Sequence, residues 1–482
     1  KGGVRRLSRL SAAFMDCVDR SPFAPVVTPD PVAAPWLSQA AHLIQKNRPS
    51  EAIAVLQRSI LLDPNQPWLW YGLATLYSRQ HRWDTAIACI SKVLKLVPNA
   101  LETFNQPTGL AVNSTDDSLP SLYAMCLYNR AVALDQNNET EEAIAQYRQA
   151  VNILPHFTQA KTNLFQALLR VGQLREGFAL QEMRWDDPQK RAIYANCFEK
   201  PTWDGSPIPG KTLLLFAEQG FGDAIQFSRF VGIAAERCQR IILQAPPPLI
   251  PLMERLTGVP DYRPPAGEEG HFDYQAAFMS LPHILVIVTI DQIPHPVPYL
   301  LPPSTPPLPP PQKPVPDGHH DLLKIAICWN CNTDSPTRAQ RSTDLGNFAA
   351  IAHLPQVQCY SVQKEVTDGD REHLKDLNIV DLSESLDSFA TTAAYLNQCD
   401  LVISVDTSIA HLAGAIARPV WIAIAFHGDW RWFRDRADSP WYPTAQIFRQ
   451  PQPGHWQELF QAMQTALHRD YLKSDLPGQS ME

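Results

Sequence analysis

Near the C-terminal end, residues 401 to 421 read LVISVDTSIAHLAGAIARPVW: an apolar run, a short polar hinge, a second apolar run, then Arg-Pro. The first run reads as a buried strand and the second as a helix, so Asp406, Thr407 and Ser408 fall at a strand's carboxyl end and a helix's first turn. Open α/β sheets bind ligands at such points. Free N–H groups at a helix start, with the macrodipole behind them, attract phosphate; the Thr407 and Ser408 hydroxyls add donors, and His411 lies one turn further in. A carboxylate beside phosphate would repel it, so Asp406 is expected to cap the helix or to accept from a ribose or sugar hydroxyl. The hinge reads as a pyrophosphate cradle, set against the plainer alternative of a capped helix with a histidine on its face.

The elements around the hinge belong to two α/β sets. In GSPIPGKTLLLFAEQGFGDAIQFSRFVGIAAERC, from Gly205, the pattern predicts a strand over Thr212 to Ala217, a glycine-bearing turn, and a helix over Asp223 to Cys238. A strand from Ile241 and a helix follow, and the alternation implies a parallel, doubly wound sheet. Between Pro294 and Pro316 every second position on average is a proline, which denies both helix and central strand and predicts an extended, stiff linker. Strands and helices then alternate again from LLKIAICW to PVWIAIAF, and HWQELFQAMQTALHRDYL is a closing amphipathic helix. Two Rossmann-like lobes with a cleft between them are the expected architecture.

The first third is a repeat. EAIAVLQRSILLDPN and TAIACISKVLKLVPN superpose with Ala52 on Ala86 and Pro64 on Pro98, and Trp36/Trp70 and Ala40/Ala74 recur upstream at the same offset. That offset is the tetratricopeptide period. A third copy ends at Pro155, well over one period beyond Pro98, so an insertion is expected between repeats; a degraded fourth copy runs to Trp185. The fold class is therefore α plus α/β: an extension over 1–32, repeats over 33–185 with the insertion at 99–123, a first lobe over 200–293, the linker at 294–318, a second lobe over 319–470, and a tail. Stacked repeats present a concave face to a polypeptide partner, or brace the next domain. The linker and the insertion are the expected sites of proteolysis.

Composition excludes several classes. A formal charge of −8 over 482 residues with no long basic run argues against nucleic acid, and no apolar stretch reaches the ~18 residues of a membrane span. Nine scattered cysteines fit a reducing cytoplasm, and the Cys328/Cys331 pair lacks further ligands at metal spacing. Asp368-Gly369-Asp370 stands just before a helix, so a cap and solvated turn is expected there and no metal site.

SVDTSIAHLAGAIARPVW resembles the nucleotide-diphosphate motif of GT-B glycosyltransferases of the heptosyltransferase type, and AEQGFGDAIQFSRFV resembles the loop of their acceptor lobe. With the repeats upstream, the chain resembles bacterial tetratricopeptide proteins carrying such a module, distant relatives of O-linked N-acetylglucosamine transferases. The resemblance implies an inverting, metal-independent transfer of a sugar from a nucleotide-diphosphate donor to a protein or glycan hydroxyl. It implies Asp223 as general base, with Gly220 and Gly222 leaving room for the acceptor. Thr407, Ser408 and His411 become diphosphate contacts, with Asp406 beside the donor; Asn332, Arg341 and Ser342 fit the start of the second lobe, Arg341 offsetting leaving-group charge, and Lys364 falls near the nucleotide. The loop after Trp329 departs from the pattern at Cys331 and Pro336. That departure sets beside the enzyme an alternative, a weak or inactive module on an interaction scaffold.

Overall fold

The computed structural model describes residues 32–97, 118–258, 271–316, 321–331 and 338–472. The chain divides into two compact units, Lys1–Val171 and Gly172–Glu482.

The first unit is a series of helical hairpins: α1 (Ala34–Gln45), α2 (Pro49–Leu62), α3 (Pro67–Arg79), α4 (Trp83–Leu96), α5 (Ser118–Gln136), α6 (Thr140–Ile153) and α7 (Thr158–Arg170). Proline at N1 of α2 and α3 presets the helical φ where no backbone donor is needed. Ala40, Ala74 and Ala131 on the first helices, and Ala52, Ala86 and Ala143 on the second, are all at most 1% exposed, and their small side chains permit close helix contact. The turn inside each hairpin repeats as faithfully: Asn47, His81, Asn138 and Gly172 all have positive φ, at 57°, 56°, 63° and 79°. The first pair and the last pair of these residues are each one period apart, so the left-handed turn follows the repeat through the insertion and into the fourth copy. Val171 closes the first unit, which leaves that copy's second helix, Leu174–Gln181, in the second. The last residues of the 99–123 insertion, from 118 on, open α5; the rest of it lies outside the described residues.

The second unit holds two parallel sheets. The first has order β2-β1-β3, from β1 (Ile208–Phe216), β2 (Cys238–Gln244) and β3 (Tyr274–Ala277). The single helix expected over 223–238 is instead broken: α8 (Phe221–Phe227), a 3-10 turn over Ser228–Phe230, a helix over Val231–Ala235, then β2. The Ser228 hydroxyl donates to Ile225 O and the Arg229 Nε to Gln226 O, so side chains take carbonyls that a continuing helix would use.

The second sheet has order β6-β5-β4-β7-β8-β9 and is parallel throughout: β4 (Leu323–Cys328), β5 (Val357–Ser361), β6 (Val380–Asp381), β7 (Leu401–Val405), β8 (Val420–Ile424) and β9 (Ala445–Arg449). β9 was not foreseen. Its period is masked by the aromatic and charged run before it. Strand order reverses between β4 and β7, which puts the topological switch point at Cys328 and Asp406. The lobe's longer helices are α9 (Asp368–Asp376), α10 (Phe389–Leu396), α11 (Ser408–Ala415) and α12 (Trp456–Asp470), α12 burying Leu459, Phe460 and Met463 against the sheet's Ile325, Ile327 and Ile403. Among the described residues no helix is long and apolar enough to cross a membrane.

The proline-rich segment is extended, as its composition requires, but it is strapped to the second lobe. Gln358, fully buried, accepts from Gln312 N and Lys313 N and donates to Cys359 O and Asn378 O. Gln398 brackets Pro306 and Leu308, Tyr360 donates to Pro309 O, and the Lys313 ammonium caps the carbonyls of Ala352, Leu354 and Val357. The segment is thus not a free connector, because so many of its polar groups are tied to the lobe.

Candidate active site at the lobe junction

Two strand-to-helix turns meet at the junction of the lobes. β1 delivers the turn 217–220 and α8; β7 delivers Asp406, Thr407 and α11. The approach is close. A Cβ added to Gly222 would stand 2.9 Å from His411 Cδ2 and 3.5 Å from the Cα of Ser408. The space expected to admit an acceptor at Gly222 is therefore filled by the second lobe's helix, and Gly222 is the contact that lets α8 and α11 touch; Gly220 faces only the Asp223 carboxylate. Gly222→Ala is expected to force the helices apart and to cost about 1 to 3 kcal/mol, measured as a lower denaturation midpoint. An unchanged midpoint would mean that the junction is not closed in solution.

Asp223 occupies N3 of α8, and its Oδ2 accepts from Gly220 N at 3.1 Å, tying the turn to the helix start. Its Oδ1 meets the Arg431 guanidinium, which reaches across from the second lobe. Arg431 also donates through Nη1 to Asp429 (2.8 Å) and through Nε to Gln226 (2.8 Å), and it lies 4.4 Å from the Trp430 ring centroid. Burial opposes the charge on Asp429, yet Arg431 and Arg341 overcome it and hold that carboxyl at about 2. A second buried cation, Arg229, fastens the lobes by donating to Pro294 O and Trp441 O and lying over the rings of Tyr299, Trp441 and Tyr442.

At the hinge the helix cap is Thr407, whose Oγ1 accepts from Ile409 N at 3.3 Å and lies 3.1 Å from Ser404 Oγ. Asp406 is thereby excluded as the cap. It is buried, its Oδ2 3.0 Å from Arg341 Nε while its backbone oxygen accepts from Arg341 Nη2 at 2.6 Å; burial raises its pKa and Arg341 opposes the rise. Ser408 is half-buried at N1. Ser342 accepts from Cys331 N, and Lys364 is exposed with its ammonium on Ser383 O at 3.3 Å; Asn332 and Pro336 lie outside the described residues. A cavity of about 150 Å³ between Asn330, Cys331, Gln363, Val366 and Thr367 sits past the carboxyl ends of β4 and β5. Neither Cys328 nor Cys331 is in a disulfide, and burial pushes Cys328 up to about 11. In the Asp-Gly-Asp stretch, Asp370 and Thr367 form a reciprocal capping box at the start of α9, with Asp368 exposed.

His411 is only 4% exposed, its Nδ1 2.9 Å from the Tyr442 hydroxyl and its ring stacked on Trp432 at 5.0 Å. Burial, reinforced by Arg431, drives its pKa well below 6.5. A charge-assisted bond from His411 to a diphosphate does not fit this setting; it is a neutral ring wedged between lobes. Because the unfolded chain protonates this histidine first, its contribution to stability is present above about pH 6.5 and is lost as pH falls through and below that value. The denaturation midpoint is expected to fall between pH 7 and pH 5, and His411→Gln to flatten that limb; equal slopes in the two proteins would place the ring outside the core.

The sequence singled out Asp223, Asp406, Thr407, Ser408, His411, Arg341 and Gly222, and the fold gathers them at this junction. It missed Arg431 and Asp429: in DWRWFRDRADSP charged and aromatic residues are interleaved without a period that marks which charge turns inward, and Asp429 proves to cap the 3-10 helix Trp430–Trp432 by accepting from Arg431 N.

Residues 43–102 and 126–156 match family models described as tetratricopeptide repeat. The first unit is a tetratricopeptide array. Over 471 residues the chain is 25% identical to Protein FlbA of Caulobacter vibrioides, covering 90% of this chain and 72% of that one. Among solved structures it resembles ADP-heptose LPS heptosyltransferase II of E. coli (14% identity, 53% of this chain and 99% of that, TM-score 0.33). It also resembles the O-GlcNAc transferase of Thermobaculum terrenum (12% identity, 91% and 90%, TM-score 0.30). The strand orders β2-β1-β3 and β6-β5-β4-β7-β8-β9, all parallel, define two lobes in the chain itself. The fold is a tetratricopeptide array followed by two Rossmann-like lobes built on parallel sheets.

Proposed function

We propose that the protein is an inverting glycosyltransferase that moves a sugar from a nucleotide-diphosphate donor to a hydroxyl of a protein or glycan, with the tetratricopeptide array engaging a polypeptide. The observation that carries the reading is the convergence of a carboxylate and a helix start, Asp223 and Ser408, at the carboxyl ends of two parallel sheets. In this mechanism the acceptor O–H gives its proton to Asp223 while its oxygen bonds to the anomeric carbon. The bond from that carbon to the diphosphate breaks on the opposite face, and the electron pair leaves with the diphosphate. The α11 start and Arg341 receive that charge, and the cavity beside Gln363 takes part of the nucleotide. Asp370 is committed to its cap, so the Asp-Gly-Asp stretch is not called on for metal, and transfer proceeds without a divalent ion.

A second reading, a scaffold with an inactive module, is favoured by the Asp223–Arg431 pair and the filled space at Gly222, which leave the base bonded and the lobes in contact. Thermal-shift and calorimetric titration with UDP, GDP and ADP sugars separates the two. Binding of one donor, with transfer that survives EDTA, supports the enzyme. Absence of binding across the set, with peptide binding retained, selects the scaffold.

A further inference from the structure

Glu218, in the turn between β1 and α8, is 3% exposed and takes no part in the chemistry above. It shares one guanidinium with a second carboxylate. Arg184 donates through Nη2 to Glu218 Oε1 (2.8 Å) and to the Ser280 hydroxyl (2.7 Å), and through Nη1 to Glu182 Oε1 (2.6 Å). Ser280 in turn donates to Glu182 Oε2 at 2.8 Å. Both oxygens of Glu182 are thus satisfied, whereas Glu218 Oε2 is buried and has no hydrogen-bond partner among the described residues.

Two carboxylates around one cation leave a net negative charge; the Glu182 side chain is 28% exposed and can carry its share towards water, whereas a bare anionic oxygen without a donor on the buried Glu218 is the costliest way to carry it. The proton that neutralises the cluster therefore belongs on Glu218 Oε2. Other titratable groups facing Glu218 are Asp223 on α8, and Tyr194 and Cys197 from the segment that follows the helix Pro188–Ile193; none of these supplies a cation. On ionisation, Oε2 needs a donor and has none in place, while the turn's Ala217 N and Gly220 N are already given to Gln244 O and Asp223 Oδ2, so the turn must shift or open to water to supply one. That turn runs through Gln219, held at φ 65°, to Gly220, whose N–H is the one that orients Asp223.

We propose that Glu218 is a positioning residue whose neutral form holds the 217–220 turn, and so the Asp223 carboxylate, in place. The functional part of this inference rests on the reading of Asp223 as base; the control of the turn does not. Burial, and then the neighbouring Glu182 and Asp223 charges against the pull of Arg184, raise the Glu218 carboxyl to about 7, which sets the range in which the turn responds.

The test is hydrogen–deuterium exchange of the peptide 213–224 in the intact chain, normalised to intrinsic rates, between pH 6 and pH 8. Protection of the wild-type turn is expected to fall by about tenfold as pH rises through 7, and Glu218→Gln to remove the pH dependence. Glu182→Gln frees Arg184 for Glu218 and should move the transition to lower pH, which keeps the test decisive even if Glu218→Gln folds poorly. Protection that is independent of pH in the wild type, or a midpoint unmoved by Glu182→Gln, overturns the inference. A merely structural role would lower protection equally at every pH and so also counts against it. A pH-dependent turn in a chain that binds none of the donors above would instead sink the glycosyltransferase reading while leaving Glu218 in control of the turn.

Discussion

Replacing Asp223 with asparagine is expected to leave nucleotide-sugar affinity nearly intact while lowering turnover by roughly 10² to 10⁴, the usual worth of a positioned general base. Asparagine keeps the shape and can still accept from Gly220 N, the bond that Asp223 Oδ2 makes at N3 of α8. What it loses is the basic oxygen that meets Arg431. Steady-state kinetics and donor calorimetry on the same preparation read both effects. A loss of turnover that merely follows a loss of folded protein would reassign Asp223 to capping, a role worth about 1 kcal/mol. Turnover within a few-fold of wild type would remove Asp223 from the chemistry altogether.

The order of elements was legible in the sequence wherever local pattern and tertiary need agree. The tetratricopeptide period, the second-lobe strands from Leu323 to Ile424 and the strand-to-helix hinge at Asp406 all carry patterns that one structure type alone satisfies. Legibility ended where a side chain on another element decides. Ser228 and Arg229 break the helix predicted over 223–238 by taking its carbonyls, and Gln358 turns a proline-rich linker into a strap. Within the site, residue type indicated where a diphosphate could lie but not which way each side chain turns. Asp406 was expected as cap or sugar contact, and the cap is Thr407; His411 was expected on phosphate, and burial against Trp432 and Tyr442 makes it a neutral wedge. Arg431 was illegible because its meaning depends on a carboxylate 208 positions away.

That distance makes Arg431 the most consequential side chain of the junction. Its guanidinium neutralises Asp429 from its own lobe and Asp223 from the other, with its side chain 11% exposed. Removing one partner of a buried ionic cluster leaves the others uncompensated, and Arg431→Met is expected to cost about 3 to 5 kcal/mol in equilibrium denaturation. Lysine keeps the charge but cannot span three acceptors in a plane, so Arg431→Lys should recover only part of the loss. The double variant Asp223→Asn with Arg431→Met decides what the pair does. If the bond between the lobes is itself a source of stability, the two losses overlap, and the pair costs less than their sum by about 0.5 to 3 kcal/mol. Strict additivity would mean that Asp223 and Arg431 do not hold one another in solution. Asp223 would then stand unpaired at the junction, and the scaffold reading would lose the ion pair that favours it.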